Sequence, residues 1–184
     1  MTIAVAHSEC ITEAEDRFAA MLADSAGFQE FVGDPGNPDN ALDHVYIDAV
    51  TPRPAGDAYT LAELATIGNH AIVSTAAANG FTFSQDSISD AYEFAPGGTL
   101  EMEIWEQPIG EDDVDDLDNV PRRFKNALGA ILRGLTQLAG TGGYVDVVRM
   151  NVDWIARTDE NRRVAVGDQM TAHLTFDWHT GVAP

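Results

Sequence analysis

Eight residues, Glu111-Asp112-Asp113-Val114-Asp115-Asp116-Leu117-Asp118, hold six carboxylates. Carboxylates are hard oxygen ligands, so calcium or magnesium is the first chemistry to consider. The run lacks the alternating ligand spacing and the obligate glycine of an EF-hand loop. It immediately precedes a helical pattern in which Pro121 occupies the first turn, and negative charge there complements the helix macrodipole. It therefore reads as a solvated helix start with no metal. Asp34-Pro35-Gly36-Asn37-Pro38-Asp39-Asn40 also gathers oxygen ligands around a glycine, but its density of turn formers predicts an exposed loop. His173, Asp177 and His179 fall on one face of a strand pattern, with the two imidazoles ~20 Å apart on a straight strand, too far to share an ion. His7, Glu9 and Cys10 contain a thiol without a surrounding reactive motif.

The motifs of common enzymes are missing. There is no G-x-S-x-G, Walker-type loop, dinucleotide fingerprint or H-E-x-x-H. Gly140-Thr141-Gly142-Gly143 follows a helical pattern rather than a strand, so it reads as a helix exit and not a phosphate cradle. The expectation is a protein that is not an enzyme, with no catalytic, cofactor-binding or metal residues and no cofactor.

The chain has 184 residues and 45% hydrophobic content, which predicts one folded domain over 1–184. Its formal net charge is −20, and Lys125 is the sole lysine. A field of that sign repels nucleic acid and anionic lipid, so neither is an expected partner. Asp outnumbers Glu, and lysine is scarce, as suits a salt-adapted or GC-rich source; salt would screen the self-repulsion within about 3 Å at 1 M. No apolar run reaches the ~20 residues of a membrane span. Met1 to Cys10 lacks the pattern of a secretory leader, and the single Cys10 excludes an intrachain disulfide, so synthesis in a reducing cytoplasm is expected.

The elements that must position any site are clearest after residue 119. Phe124, Ala127, Leu128, Ile131, Leu132, Leu135 and Leu138 follow the i, i+3, i+4, i+7 rule of an amphipathic helix, which stops at Gly140. The rhythm then becomes period two. In Tyr144–Ile155, Val148, Met150, Val152 and Trp154 share one face, and Arg149, Asn151 and Asp153 the other. In the last strand, Met170, Ala172, Leu174, Phe176 and Trp178 oppose Thr171, His173, Thr175, Asp177 and His179, with a bulge expected at Gly167-Asp168. These two strands predict a C-terminal β-hairpin whose apolar face packs on the long helix.

Earlier in the chain, Thr12-Glu13-Ala14-Glu15 fits a capping box opening a helix to about Ala23. A short helical turn follows over Ser25–Val32. Strands are expected at His44–Val50, Ala71–Thr75 and Thr99–Gln107, the last with acidic Glu101 and Glu103 opposite buried Leu100, Met102 and Ile104. Thr60-Leu61-Ala62-Glu63 opens another short helix to about Ile67. Residues 76–98 read as an irregular insertion in which Phe81 and Phe83 suit an edge strand. The fold class is α+β: a mixed, largely antiparallel sheet with the N-terminal and long helices packed on one face.

This order of elements resembles the tail-terminator, or tail-completion, proteins of long-tailed phages and related viruses or prophages. The likeness rests on Ala14-Glu15-Asp16-Arg17-Phe18-Ala19 with Phe28-Gln29, His44-Val45-Tyr46 with its following prolines, Phe124 to Leu132, and the closing strands with Gly167-Asp168. It spans most of the chain but not Ala76–Gly98. It implies a virion protein of the tail or neck, made in the host cytoplasm. Such a protein forms a homo-oligomeric ring, usually a hexamer, that caps the head-proximal end of the tail tube. Its partners would be further copies of itself, the tail tube protein and a head–neck connector protein. The family carries no catalytic residues.

The candidate subunit interface is the polar hairpin face with its neighbouring arginines: Arg149, Asn151, Asp153, Arg162, Arg163, His173 and Asp177. These residues mix signs in an otherwise acidic chain, and acidic segments of a neighbour suit their guanidiniums. Other readings are a head–tail adaptor or head-completion protein of the same neck, a metal-dependent hydrolase built on the acidic run, and a small-ligand domain with a pocket at Trp105, Trp154 or Trp178.

Overall fold

The computed structural model describes residues 6–48, 67–75, 81–85, 94–141, 144–157 and 165–179. The fold is α+β, with helices laid on one face of a mixed sheet. The helices are α1 (Ala6–Asp24), α2 (Ala26–Val32), α3 (Pro38–Leu42) and α4 (Val120–Leu138), with a 3-10 helix over Glu111–Asp116. The strands are β1 (Val45–Ile47), β2 (His70–Thr75), β3 (Phe81–Gln85), β4 (Phe94–Trp105), β5 (Asp146–Arg157) and β6 (Met170–His179). None of the described helices is long and apolar enough to cross a membrane.

The sheet runs β1-β2-β4-β6-β5. Among the described residues only β1 and β2 pair in parallel; β2–β4, β4–β6 and β6–β5 are antiparallel. The final strand thus inserts between β4 and β5, so α4 carries the chain across β6 to the outer edge. β3 pairs with the early half of β4, from Phe81 opposite Gly98 to Gln85 opposite Phe94, and so prolongs the edge that β2 occupies over Leu100–Trp105. The stretch expected to be irregular therefore contains a strand pair over 81–85 and 94–98; its other residues lie outside the described ones.

Period-two patterning places Leu100, Met102, Ile104, Ala172, Leu174 and Phe176 on the helix side, where all are buried. Phe18 of α1 meets Phe176 of β6 with ring centroids 4.8 Å apart, and Phe124 of α4 meets Phe31 of α2 at 6.3 Å. The long helix keeps the stripe that its sequence foretells, with Phe124, Leu128, Ile131 and Leu135 buried. It ends where Gly140 turns to φ +70°. α2 ends likewise at Gly33, with φ +90° and its N–H donated to the Gln29 carbonyl. α2 and α4 approach until their backbones nearly touch. A Cβ at Gly27 would overlap the Ala130 carbonyl carbon and lie 2.6 Å from its oxygen and 2.7 Å from the Ile131 nitrogen.

Several expected elements need correction. α1 already runs from Ala6, so Thr12 is a helix-interior residue and its capping box is not the helix start. α3 begins inside the loop expected at Asp34–Asn40, with Pro38 in its first turn and the Asn37 side chain accepting from the Asn40 N–H. Gly167 lies in a turn ahead of β6 rather than in a bulge within it: its φ is +87°, and its N–H meets the Ile109 carbonyl. The expected helix at Thr60–Ile67, apart from Ile67, falls outside the described residues, as does the end of the strand expected at His44–Val50.

Two buried titratable groups make stability depend on pH. Glu15, the supposed capping residue, faces the sheet and accepts a hydrogen bond from the Thr75 hydroxyl. Burial raises its carboxyl pKa, Thr75 opposes this, and the charges of Asp48 and Asp16 add to it. The folded chain thus holds this proton more tightly than the unfolded chain. The resulting stability is complete below the ordinary value of 4.5 and is lost as pH rises through the folded pKa. His70 of β2 is the opposite case. It is fully buried between Tyr46, edge-on at 5.7 Å, and Trp105, stacked at 6.3 Å. Burial holds its pKa below the ordinary 6.5, so its contribution is present above that value and is lost as pH falls toward the folded pKa. Glu15→Gln retains an acceptor for Thr75 without the buried charge. It is expected to stabilise the fold at pH 7 by about 1 kcal/mol and to leave the acid-side loss from His70 intact. Chemical denaturation across a pH series checks both effects; a less stable variant at pH 7 would contradict them.

Candidate functional site

The face of the sheet away from the helices carries the charged and hydroxyl side chains of β4, β5 and β6. Alternation in β6 directs Thr171, His173, Thr175 and Asp177 there, and in β4 it directs Glu101 and Glu103. His173 is the hub of this face. Its Nδ1 lies 3.1 Å from Asp153 Oδ2, its Nε2 lies 3.8 Å from Glu101 Oε2, and Trp154 stacks on its ring at a centroid distance of 5.6 Å. Thr175 donates its hydroxyl to Asp153 Oδ1 at 3.4 Å and accepts from Asn151 Nδ2 at 3.4 Å. At the other end of the face, Thr99 donates to Asp177 Oδ1 at 2.8 Å. Arg149 stands opposite Asp177 in the β5–β6 ladder and is exposed.

Five of the seven expected interface residues, Arg149, Asn151, Asp153, His173 and Asp177, therefore share one face. Arg162 and Arg163 lie outside the described residues. The face joins two carboxylates to one imidazole, but among the described residues no group of three His, Cys, Asp or Glu side chains is placed to hold a metal ion. The geometry suits a preformed hydrogen-bonding surface: its acceptors are fixed in orientation by the strands, and His173 is braced on three sides.

β5 differs from the simple alternation expected of it. Two bulges interrupt its pairing, between Val147 and Arg149 and between Val152 and Trp154. The second one turns Trp154 onto the polar face beside His173, instead of onto the apolar face with Met150. Beyond it, Ile155 takes the helix side, opposite buried Ala172. Environment also varies along β5. Val147 and Met150 pack against the core. Val148 is 60% exposed, Val152 42%, Trp154 44% and Ile155 36%. The distal half of the strand thus overhangs the helix layer and bares apolar side chains on both faces. Among the described residues no strand pairs with its outer edge. A long strand with free backbone groups and exposed apolar side chains is a template for association. Sequence reading placed Thr175 on this face without counting it in the interface, and missed Trp154, Glu101 and Thr99 as members of the surface; the acidic side of β4 was the one signal pointing to Glu101.

No protein-family model matches the chain, and no curated protein matches it either.

Proposed function

We propose that the chain is a structural subunit of a phage-like tail or neck that self-associates into a ring, as a tail terminator does, and that β5 with the polar sheet face forms the contact between copies. The observation that carries this reading is the overhanging edge of β5, with Val152, Trp154 and Ile155 in solvent beside the ordered Asp153–His173–Glu101 cluster. Such an edge suits a head-to-tail contact, in which one surface meets a different one on the next copy and closes by rotation. An apolar centre with a polar rim is the usual anatomy of a stable contact. The resemblance in element order supplies the tail and neck assignment, the ring of six and the docking to tube and connector proteins.

Arg149→Glu tests the surface. Arg149 is exposed, so its replacement is expected to leave the far-ultraviolet circular dichroism unchanged. It would place a carboxylate opposite Asp177 and is expected to shift the native mass from oligomer toward monomer. An unchanged oligomer would remove this face from the contact.

A further inference from the structure

Charge on this chain is segregated as well as excessive. Four of the ten basic residues, Arg122, Arg123, Lys125 and Arg133, lie in α4, whose sequence VPRRFKNALGAILRGLTQL contains no acid. The buried stripe of α4 faces the core, which leaves Arg122, Lys125 and Arg133 exposed on the opposite side. Arg122 and Arg133 stand three turns apart, roughly 16 Å along the helix. Arg123 pairs with Glu106 at 3.5 Å, but among the described residues no ion pair engages Arg122, Lys125 or Arg133. Just before α4, the 3-10 helix presents Asp112, Asp115 and Asp116, all exposed. The chain thus carries a basic ridge and, at one end of it, its densest block of acid. Arg133 lies roughly 20 Å from that block along α4, beyond the reach of either side chain.

We propose that the exposed ridge of α4 docks the acidic 3-10 helix of a second copy of this chain, as a head-to-tail contact additional to β5. This rests on the self-association reading above. Charge complementarity selects the occupant. Guanidiniums bind carboxylates in bidentate pairs, and the chain itself carries a dense acidic block over Glu111–Asp118. The acidic block lies at one end of the ridge and not within it, so each copy can give one surface and receive the other in a head-to-tail contact. A nucleic acid is the weaker occupant, because its whole length would face a protein of net charge −20.

The test uses charge reversal in the full chain, read by sedimentation velocity. Arg122→Glu with Arg133→Glu takes the net charge from −20 to −24, and Asp112→Lys with Asp115→Lys takes it to −16. A specific contact predicts that both pairs weaken assembly, by about tenfold or more in concentration at the midpoint. It also predicts that the four changes together, again at −20, restore assembly. If general repulsion governs association, the −16 variant assembles better than wild type; that result overturns the proposal. So does assembly that neither pair alters. If Arg149→Glu still dissolves the oligomer in that case, the β5 reading survives and only the α4 contact fails. A wild-type chain that stays monomeric at every salt concentration overturns both. Retention of duplex DNA by wild type, lost with Arg122→Glu and Arg133→Glu, would assign the ridge to nucleic acid and overturn the proposal.

Discussion

Gly27→Ala is expected to lower the melting temperature by roughly 6–12 °C, the equivalent of about 3 kcal/mol for a chain of this size. Two effects oppose each other. Alanine is the better helix former by ~1 kcal/mol in a helix interior. Against that, the added methyl has nowhere to go. The atoms it meets, the Ala130 carbonyl and the Ile131 nitrogen, are backbone atoms of α4 and cannot rotate aside. The helices would have to separate, opening the packing of Phe31 against Phe124, and that loss outweighs the gain. Gly129 is the control. It lies on α4 beside Ala130, and a Cβ there meets nothing within 4 Å. Gly129→Ala is therefore expected to raise the melting temperature by about 2–4 °C. Calorimetry on both variants checks the contrast. Equal and small effects of the two would show that α2 and α4 are not in backbone contact.

Trp154→Ala is expected to weaken each contact between copies by about 2 kcal/mol, roughly thirtyfold, while leaving the fold of the subunit nearly unchanged. Trp154 is a large aromatic residue, 44% exposed, and it is held in place by stacking on His173. Aromatic groups held rigid at the surface lose little entropy on association and dominate the energy of contacts. In the subunit alone the substitution forfeits one stacked pair, about 1 kcal/mol or less. Sedimentation equilibrium separates the two quantities when paired with thermal unfolding of dilute protein. A variant that melts lower yet assembles as wild type would place Trp154 in subunit stability and outside the contact.

Most of the framework was legible in the chain because burial writes a period into the sequence. α4 and β6 are each covered on one side along their length, so the spacing of Phe124 to Leu135 and of Met170 to Trp178 reported them directly. β4 was legible over Thr99–Trp105 for the same reason. Its extension to Phe94 was not, since Pro96-Gly97-Gly98 resembles a turn although those residues pair with β3. β5 misled the reading at its distal end. Val152 and Trp154 are both apolar and two apart, which alternation assigns to one face, and no glycine or proline marks the bulge at Asp153. Only pairing with β6 places Trp154 beside His173. The polar surface was half legible: alternation collected Arg149, Asn151, Asp153, His173 and Asp177, but the position of β6 between β4 and β5 depends on long-range pairing. That topology brings Glu101 of β4 to His173. Thr12 and Glu15 show the same limit from the other side. Their spacing matches a capping box, yet Glu15 is committed to Thr75, sixty residues away.

Self-association through β5 is the central claim, and native mass tests it most directly. Purified protein would be examined at low and high salt by mass measurement under native conditions, with electron microscopy of the same samples. The account predicts a closed ring, six copies in the simplest case. It also predicts that raising salt favours the ring, by screening repulsion between subunits of net charge −20. A protein that remains monomeric across concentration and salt would contradict it.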